Sequence, residues 1–305
     1  MKNDYDVIII GGGPAGLTAG IYTARTKLKS LLIERGAPGG KMAEAVWVEN
    51  YPGFPEGISG YDLSLLMHKQ AIKYGLKTIM ATVNYLDVRD KKKLVKTTEG
   101  EFSAGAVIIT GGSERRRLDI PGEKEFTGKG VSYCATCDGP FFQGKAVAVI
   151  GGGNAAISEA IHLTKFASKV TVIHRRESLR ATAILKERAF SEPKIEFLWN
   201  SIVTAITGDK LVEGLELKNL KTGKNNKLKT SGVFVSIGLI PNTEYLKGII
   251  PLDDFGHIIT NLKMETEVPG IYAAGDIRHN SIRQVIAAAG DGAVAAVYAK
   301  KYLSE

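Results

Sequence analysis

Short apolar runs that end in glycine recur along the chain, and two of them open similar segments. Residues 7–10 and 147–150 are unbroken runs of Val, Ile and Ala, and a glycine-rich turn follows each. Helical spacing of apolar residues then covers residues 17–25 in the first segment and extends to residue 165 in the second. A short apolar run before a helix is typical of a strand that is buried on both faces of a parallel sheet. The pattern therefore predicts two strand–turn–helix units.

Other runs add to these two units. Residues 104–112, "AGAVIITGG", predict another buried strand that ends in a glycine turn, and "VPGIYAAGDI" places Asp276 after a short strand. Residues 198–235 alternate between apolar and polar positions, with turn residues at 207–209 and 222–223, which predicts a small antiparallel meander. From Arg283 and Gln284 onward, small residues predict a C-terminal helix whose first turn can approach a ring system closely.

The two glycine turns have the spacing of a pyrophosphate-binding loop. They read G-x-G-x-x-G at 11–16 and G-x-G-x-x-A at 151–156, which is 140 residues later. The first glycine permits a tight turn, the second lets the backbone approach a pyrophosphate, and the third small residue lets helix and strand pack closely. The helix N-terminus then presents free N–H groups to the phosphates. Glycine turns in ordinary strand–helix packing are the alternative, but motif and context agree twice.

The residues at the end of the second strand of each unit distinguish the two sites. Glu34 and His174 each follow the first glycine of their unit by 23 residues, near the position that contacts the adenosine ribose. The Glu34 carboxylate can accept hydrogen bonds from ribose hydroxyls, which suits FAD. Arg175, Arg176 and Arg180 can hold a 2′-phosphate by charge and bidentate hydrogen bonds, which suits NADPH. The alternative for these arginines is a solvated start of a helix.

Composition narrows the class of protein. A chain of 305 residues with 44% hydrophobic and 24% charged residues is ordinary for a globular protein of about two domains. The net charge of +8 fits a solvated basic surface or attraction to acidic ligands, such as nucleotides or an acidic partner protein. The basic runs at 91–93 and 115–117 carry no interleaved aromatic residues, so we expect no nucleic-acid binding.

The N-terminus and the lengths of the apolar runs indicate the compartment. The polar N-terminal residues lead directly into the first strand and lack the longer apolar region of a signal peptide. No apolar run approaches the ~20 residues that span a bilayer. We therefore expect a cytoplasmic protein without membrane association.

Cys134 and Cys137 are the chain's two cysteines, and both lie in the segment "YCATCDGPFF". A disulfide between residues this close in sequence closes almost no loop, so it would stabilise the fold little. The pair is either half of a metal site or a disulfide that opens and closes. Zinc would need two more ligands, and the five histidines show no paired metal spacing. We therefore expect that no metal is bound.

The order of the motifs predicts that one domain is inserted into another. The first unit opens the chain, the second lies in its middle, and the AAGD segment lies near its end. Residues 114–123 and 236–246 each contain Pro and Gly and are typical of linkers. We predict an α/β fold with two Rossmann-like dinucleotide-binding domains. Residues 1–114 and 244–305 form the FAD domain, and residues 115–243 form an inserted NADPH domain that carries the cysteines.

Motifs along nearly the full length resemble those of the low-molecular-weight thioredoxin reductases, a class of pyridine nucleotide-disulfide oxidoreductases. The motifs are GGGPAG, ENYPGF, IPGE, CATCDG, GGGNAA, HRRESLRA, IGLIPN, AAGD and RQ. The most diagnostic is CATCDG, which here precedes the second nucleotide unit. Larger glutathione-reductase-like enzymes carry their cysteine pair near the first nucleotide motif and add a C-terminal dimerisation domain.

The resemblance implies an NADPH-dependent thioredoxin reductase that is a homodimer with one FAD per subunit. Electrons are implied to pass from NADPH through the flavin to a Cys134–Cys137 disulfide and on to thioredoxin. In this scheme Cys137 faces the flavin, Cys134 attacks the partner, and Asp138 exchanges protons with the thiolates. The alternative for Asp138 is a turn former. Because the NADPH site and the cysteines share one domain and both must meet the flavin, we expect a hinge rotation.

The motifs and the resemblance together predict the cofactor contacts. The residues predicted to bind FAD are Gly11, Gly13, Pro14, Ala15, Gly16, Glu34, Gly40, Asn50, Thr110, Gly111, Gly275, Asp276, Arg283 and Gln284. The residues predicted to bind NADPH are Gly151, Gly153, Asn154, Ala155, His174, Arg175, Arg176, Arg180, Ile237 and Gly238. The chain departs from the family's pattern at Lys41, where Gln is usual, at Ala155, and at Ser178-Leu179, where an aromatic residue often stands.

Other functions could use the same parts. The reduced cysteine pair could serve a glutaredoxin-like or peroxiredoxin-linked protein instead of thioredoxin, or a flavin dithiol oxidase could pass electrons to oxygen. A redox-sensing flavoprotein would keep the fold without turnover. The arginine cluster argues against the oxidase, because that reaction needs no NADPH.

Overall fold

The computed structural model of the chain describes residues 4–45, 47–89 and 92–305. In chain order, the strands are β1 (Asp4–Ile10), β2 (Ser30–Glu34), β3 (Lys77–Met80), β4 (Val83–Arg89), β5 (Lys92–Thr97), β6 (Gly100–Ile109), β7 (Ser113–Arg115), β8 (Val131–Ser132), β9 (Ala146–Ile150), β10 (Lys169–Ile173), β11 (Ile195–Leu198), β12 (Ser201–Gly208), β13 (Val212–Asn219), β14 (Asn225–Lys229), β15 (Gly232–Val235), β16 (Leu239–Pro241) and β17 (Ile271–Ala273). The α-helices are α1 (Pro14–Arg25), α2 (Gly60–Lys73), α3 (Ala135–Asp138), α4 (Asn154–Leu163), α5 (Ala183–Ser191) and α6 (Val285–Ser304).

The first of two structural units comprises Met1–Glu114 and Ile240–Glu305 and is built on one mixed sheet. The strand order is β3-β2-β1-β6-β5-β4, and β17 also pairs with β6. β1 is parallel to β2 and to β6, β17 is parallel to β6, and β5 is antiparallel to its neighbours. The carboxyl ends of β1, β2, β6 and β17 therefore lie at the same edge, which is where ligands bind in open α/β sheets.

The central strand of this sheet is covered on both faces. Ile8 and Ile9 of β1 are fully buried and belong to different apolar clusters. Ile9 shares its cluster with Leu17 of α1 and Ala295 of α6, whereas Ile8 shares the other cluster with Leu86 of β4. This arrangement explains why β1 is an unbroken apolar run rather than an alternating one.

The second unit comprises Arg115–Leu239 and contains a parallel five-stranded sheet. Its strand order is β11-β10-β9-β15-β8, and every neighbouring pair is parallel. β12, β13 and β14 form a separate antiparallel sheet. The predicted α/β class with two Rossmann-like units is confirmed.

The predicted meander is right for β12 to β14 but wrong at its end. Residues 232–235, which were included in the meander, form β15 and pair with β9 and β8 in the parallel sheet. All four residues of β15 are buried, so the strand needs cover on both faces. The alternation of the preceding strands stops at Thr230, where the chain changes sheet.

The chain passes between the two units at residues 114/115 and 239/240. The bounds predicted from the sequence lie at 114/115 and 243/244. The connecting strands β7 and β16 pair with each other as a two-stranded sheet. In the part of the chain that the structure describes, no helix combines the length and apolar character that crossing a membrane requires.

One basic run does not have the solvated surface that its charge suggests. Lys93 is fully buried, and its Nζ lies 3.2 Å from the hydroxyl of Tyr302 and 4.9 Å from the centre of that ring. The first residue of this run, Lys91, lies outside the described residues. The aliphatic stem of a lysine packs like an apolar side chain, and an aromatic face can accept its ammonium group. Lys93 therefore does not contribute to the solvated basic surface that is one interpretation of the net charge.

Candidate functional site

The first glycine turn of the first unit is closed by contacts that only glycine allows. Gly11 has φ +108°, and a Cβ there would overlap the carbonyl of Thr110 at the end of β6. A Cβ at Gly16 would overlap the carbonyl of Gly11. The Thr110 hydroxyl donates to the carbonyls of Ile10 (2.9 Å) and Gly11 (2.7 Å). These contacts bring β1, α1 and β6 together at the carboxyl edge of the sheet.

Gly13 differs from its two partners in the motif. Its φ of −73° is open to any residue, and a Cβ built there would meet no atom within 4 Å. The fold itself therefore does not require glycine at this position. The space left in front of the helix N-terminus is what a pyrophosphate would need. Gly40, with φ +54°, lies against Gly13, because a Cβ on Gly40 would be 3.3 Å from the Gly13 Cα.

Glu34 lies at the end of β2 and contacts the same turn. Its Oε2 accepts a hydrogen bond from the N–H of Gly12 at 2.5 Å, and its Oε1 accepts one from Gly36 at 3.1 Å. A carboxylate has about four acceptor positions, so both oxygens can still accept ribose hydroxyls. The predicted ribose-binding residue is thus placed beside the predicted pyrophosphate turn.

The AAGD segment reaches the same edge from the end of β17. Gly275, with φ +79°, lies so close to α1 that a Cβ would be 3.1 Å from the Cβ of Ala15. Asp276 accepts a hydrogen bond from the hydroxyl of Ser281 at 3.0 Å, and its carbonyl accepts one from Ser113 at 2.5 Å. The segment is therefore held on both sides of the predicted flavin contact.

A buried carboxylate on α6 fixes this segment further. Asp291 accepts hydrogen bonds from the N–H of Gly275 at 3.1 Å and from Arg278 at 2.6 Å and 3.0 Å. Asp291 is only 9% exposed, so these bidentate contacts to Arg278 are largely protected from water. Asp291 therefore anchors the AAGD turn to the helix.

The remaining predicted flavin residues differ in how firmly the structure holds them. Asn50 donates to the side chain of Gln284, the N-terminal cap of α6, at 2.9 Å. Pro14 begins α1 directly after the glycine turn, and Gly111 lies two residues beyond Ile109, where β6 ends. Arg283 adopts a left-handed backbone with φ +62°, and its side chain is exposed. Within the described residues, the Arg283 side chain makes no hydrogen bond to the other predicted flavin contacts.

The second unit repeats the glycine turn with a different residue at the predicted ribose position. Gly151 has φ +153°, and a Cβ there would overlap the carbonyl of Ser236 after β15. A Cβ at Gly153 would meet nothing within 4 Å, as at Gly13 in the first unit. His174 follows β10, and its imidazole lies against Gly152, where a Cβ would overlap the ring. The same open position faces the helix N-terminus in both units.

His174 is the orphaned polar group of this site. It is 6% exposed, and its Nε2 is buried without a hydrogen-bond partner. Burial lowers the pKa of His174, and the nearby charges of Arg180, Arg176 and Arg175 lower it further. The imidazole is therefore neutral at physiological pH. A buried ring nitrogen without a partner is costly unless a ligand completes its hydrogen bonding.

Three arginines near His174 in sequence have exposed side chains. The N–H of Arg180 donates to the carbonyl of Gly152 at 2.7 Å, which fixes the loop against the glycine turn. The side chains of Arg175, Arg176 and Arg180 are exposed and available to a phosphate. Asn154 at the start of α4 accepts a hydrogen bond from the N–H of Thr182 at 2.8 Å. The donor set suits a phosphorylated nucleotide.

The other predicted NADPH residues lie on the rim of this turn. Ala155 is exposed on the first turn of α4, and Ile237 packs against the apolar cluster beneath β15. Gly238 has φ +112° and accepts a hydrogen bond from the N–H of Arg116 at 3.1 Å. Gly238 thus lies where the chain leaves the second unit.

Cys134 and Cys137 form a disulfide across the one-turn helix α3. Cys134 is the N-terminal cap of α3, and its Sγ accepts the N–H of Cys137 at 3.2 Å. Cys134 is half-buried and Cys137 is exposed. Asp138 follows directly, and its N–H donates to the carbonyl of Cys134 at 3.0 Å. Both sulfurs and one carboxylate therefore belong to a single tight loop.

A second carboxylate orders the chain on the N-terminal side of this loop. Glu123, only 3% exposed, accepts hydrogen bonds from the N–H groups of Leu118 and Asp119 and from the hydroxyl of Tyr133 at 2.9 Å. Burial, followed by the hydrogen bond to Glu123, raises the pKa of Tyr133 to about 12. The residue before Cys134 is thus a neutral hydroxyl donor tied to the predicted linker.

The described residues contain no group of three or more His, Cys, Asp or Glu side chains that could hold a metal ion. Cys134 and Cys137 are bonded to each other in a disulfide.

The sequence patterns missed several residues that the structure brings to these sites. They are Gly12, Gly152, Asp291, Ser132 and the Glu123–Tyr133 pair. The two middle glycines could have been found from the sequence. Gly12 and Gly152 are 140 residues apart, which is also the separation of Glu34 and His174. Asp291 is the one acid in the small-residue stretch "IAAAGDGAVAA", which also signalled a buried role. Ser132 carried no signal in the sequence.

Comparisons with known proteins agree with this geometry. A family model described as pyridine nucleotide-disulphide oxidoreductase matches residues 5–292. The thioredoxin reductase of Bacillus subtilis is 48% identical over 302 residues, covering 99% of this chain and 95% of that protein.

Solved structures show the same likeness. The thioredoxin reductase of Streptococcus pyogenes has a TM-score of 0.94 at 43% identity, covering 100% of this chain and 99% of that one. The thioredoxin reductase of Lactococcus lactis in its FR conformation has a TM-score of 0.68 at 44% identity, covering 98% of this chain and 99% of that one. The chain therefore belongs to the pyridine nucleotide-disulphide oxidoreductase family and, within it, to the thioredoxin reductases.

Proposed function

We propose that the protein is an NADPH-dependent thioredoxin reductase that works through the Cys134–Cys137 disulfide. The observation that carries this proposal is the composition of the second unit. A disulfide next to Asp138 shares that unit with a pyrophosphate turn and an arginine-rich ribose position. The first unit has a matching turn with a carboxylate at the ribose position. The cytoplasm, where disulfides are transient and catalytic, is the compartment that suits this chemistry.

The residues of the first unit fit FAD. The open position at Gly13 would accept the pyrophosphate, Glu34 the adenosine ribose, and Asp276 the hydroxyls of the ribityl chain. The residues of the second unit fit NADPH, with the open position at Gly153 for its pyrophosphate and His174 with its arginines for the phosphorylated ribose. When bound, these two cofactors supply the electron pair that reduces the disulfide.

The dithiol then carries out thiol–disulfide exchange with the partner. The Cys134 thiolate attacks one sulfur of the thioredoxin disulfide, and the other thioredoxin sulfur leaves as a thiolate and takes up a proton. The Cys137 thiolate next attacks Cys134, which restores the internal disulfide and releases the second thioredoxin sulfur. Asp138 holds the proton that moves between the sulfurs and water. A helix N-terminus favours the thiolate form of its capping cysteine.

The placement of the sites in two units implies a movement. The cysteines and the nicotinamide site share the second unit, whereas the flavin site lies in the first, and both need near-contact with the flavin. We infer that the second unit presents them in turn, by rotation at the linkers that contain β7 and β16. The two solved relatives named above differ in TM-score, 0.94 against 0.68, although their identities to this chain lie within one percentage point of each other and their coverages of it within two. Such a difference is expected of a family with more than one domain orientation.

A second copy of the chain would cover an apolar face of the first unit. Helix α2 exposes Tyr61, Leu65, Leu66 and Ile72, which are 48–60% exposed. Leu65, Leu66 and Ile72 line one open groove of about 530 Å³. Exposed apolar side chains on one helix face are typical of a subunit interface. We propose a homodimer that forms through this face.

Rapid mixing tests the function directly. Anaerobic mixing of the flavin-loaded protein with NADPH should bleach the flavin absorbance, and added thioredoxin should then be reduced with turnover. Bleaching without any thioredoxin turnover would contradict thioredoxin as the partner and point to another disulfide protein. Absence of bleaching with NADPH would contradict the nucleotide assignment itself.

A further inference from the structure

Ser132 has no direct part in thiol–disulfide exchange, but its hydroxyl contacts Asp138 and Cys134, which are assigned roles in that reaction. The hydroxyl donates to Oδ2 of Asp138 at 2.6 Å and accepts the N–H of Cys134 at 3.1 Å. A longer contact of 3.5 Å joins it to the Cys134 carbonyl. One oxygen atom therefore connects the carboxylate of the loop to the backbone of the capping cysteine.

The position of this hydroxyl is fixed by the parallel sheet. Ser132 ends β8, is 4% exposed and pairs in register with Phe234 of β15. Phe234 is fully buried and its ring packs edge-on against Phe142. A short strand paired to the buried interior of a sheet leaves a side chain little freedom. Ser132 is thus a rigid support, whereas α3 is a single turn of helix on the surface.

The contact also makes the two oxygens of Asp138 different. Oδ2 is engaged by the serine hydroxyl at a distance typical of a strong hydrogen bond to a carboxylate. In the described part of the chain, Oδ1 accepts no hydrogen bond. The oxygen without a donor is the one that can carry a proton to or from a sulfur.

We propose that Ser132 is a positioning residue that holds Asp138 and Cys134 in one frame and reserves Oδ1 of Asp138 for proton exchange. This inference rests on the proposed function. When the S–S bond accepts an electron pair, one sulfur takes up a proton that Oδ1 of Asp138 relays from water, and the other sulfur stays a thiolate. The relay leaves Asp138 as the carboxylate that the Ser132 hydroxyl stabilises.

A pair of variants of nearly equal shape separates the hydroxyl from packing. Ser132→Thr keeps the hydroxyl and Ser132→Val replaces it with a methyl group. We expect kcat for thioredoxin reduction to fall about tenfold or more in Ser132→Val, because the lost hydrogen bond involves a charged group. Ser132→Thr should stay within about twofold of the unchanged protein, and the KM values for NADPH and thioredoxin should change little in either variant. Equal loss in both variants would overturn the role of the hydroxyl.

Two controls keep this comparison interpretable. Thr230→Val removes another buried hydroxyl of the same unit, which donates only to the carbonyls of Ala146 and Gly232. It should leave kcat unchanged if only the Ser132 hydroxyl serves the site. The flavin spectrum and circular dichroism report folding, and Ser132→Ala replaces Ser132→Val in the comparison if the valine variant does not fold.

A double-mutant cycle tests whether Ser132 acts through Asp138. In an Asp138→Asn background, Ser132→Ala should cause no further loss of kcat, because the group that it positions is already changed. Additive losses would overturn the positioning of Asp138. If Cys134→Ser still reduces thioredoxin, the proposed function fails instead, so the two failures are distinguishable.

A measurement without NADPH or turnover tests the contact with Cys134. The holoenzyme is equilibrated in dithiothreitol redox buffers, and alkylation with mass spectrometry gives the fractions of dithiol and disulfide. Loss of the Ser132 anchor in Ser132→Ala should favour the dithiol about tenfold, or about 30 mV for a two-electron couple. An equilibrium constant within about twofold of the unchanged protein would overturn the anchoring of Cys134.

Discussion

At the scale of the residue, the two nucleotide sites differ in the side chain that lies against one glycine. Glu34 accepts the N–H of Gly12, whereas the ring of His174 covers Gly152 at the equivalent place in the second unit. A carboxylate favours ribose hydroxyls and repels a 2′-phosphate. A neutral imidazole next to exposed arginines has the opposite preference. We therefore propose that the exchange of Glu34 for His174 at this equivalent position gives the two units different nucleotide ligands.

Substitution of the arginines tests this difference. Arg175→Ala combined with Arg176→Ala should raise KM for NADPH about 10- to 100-fold, because charge-assisted hydrogen bonds to the 2′-phosphate are lost. KM for NADH, which lacks that phosphate, should stay within about twofold. Steady-state assays with both nucleotides measure the ratio. Equal increases for the two nucleotides would contradict the phosphate assignment, and Lys224→Ala, an exposed lysine on the meander, serves as a charge control.

Tyr133 gives a prediction about pH. Its pKa is raised to about 12, so the stability that its hydrogen bond to Glu123 contributes is fully present below the ordinary tyrosine value of about 10. That stability is lost as pH rises through about 12. Absorbance at 295 nm should show that Tyr133→Phe removes a group that ionises near pH 12 rather than near pH 10. Removal of a group that ionises near pH 10 would contradict the burial of the Tyr133 hydroxyl and its hydrogen bond to Glu123.

At the scale of the element, each glycine turn connects the end of a strand to the N-terminus of a helix, β1 to α1 in the first unit and β9 to α4 in the second. Gly16 is required by packing, since a Cβ would overlap the Gly11 carbonyl, but Gly13 has free space and ordinary backbone angles. Because the fold does not need glycine at residue 13, we propose that a ligand occupies the space in front of it. The same contrast recurs at Gly151 and Gly153 in the second unit.

Alanine substitutions separate these two reasons for glycine. Gly13→Ala should fold with an unchanged melting temperature in the flavin-free form and lose flavin, because the methyl group would occupy the pyrophosphate position. Gly16→Ala should fold poorly, since backbone would have to move. Flavin content by absorbance and melting by circular dichroism measure both effects. Full flavin retention in Gly13→Ala would contradict the placement of the pyrophosphate.

Elements with a strong local pattern could be predicted from the sequence, and those defined by distant contacts could not. The apolar run before each glycine turn specified β1 and β9, because burial on both faces requires it. The same pattern misled at residues 232–235, since an alternating meander precedes β15 and local sequence does not say which sheet a strand joins. The proposed role of Ser132 could not be predicted from the sequence, because it depends on a hydrogen bond to Asp138 that forms only in the folded loop.

At the scale of the whole molecule, the proposed function assigns flavin chemistry to one unit and nicotinamide and thiol chemistry to the other. The unit that holds the cysteines is continuous in sequence, whereas the flavin unit is completed by the last part of the chain. The linker strands β7 and β16 are the two connections between the units. The rotation that we propose would need bending at these two paired strands, because both chain crossings lie in them.

Subunit association belongs to the same scale. Leu65→Lys combined with Leu66→Lys should convert a dimer into a monomer, because charges would be buried in the apolar interface on α2. Leu220→Lys changes a leucine of the second unit that is 50% exposed and should leave the dimer intact. Size-exclusion chromatography with light scattering gives the mass of each variant. A dimer that persists in the double variant would contradict the interface on α2.

Storage of an electron pair by Cys134 and Cys137 is the step on which thioredoxin reduction depends. Anaerobic titration of the flavin-loaded protein with NADPH measures that capacity directly, with Cys137→Ser as the comparison. The unchanged protein should take up one electron pair more than the variant, and the variant should bleach its flavin without reducing thioredoxin. Equal uptake by both proteins, or thioredoxin reduction by the variant at an unchanged rate, would contradict an electron path through this disulfide.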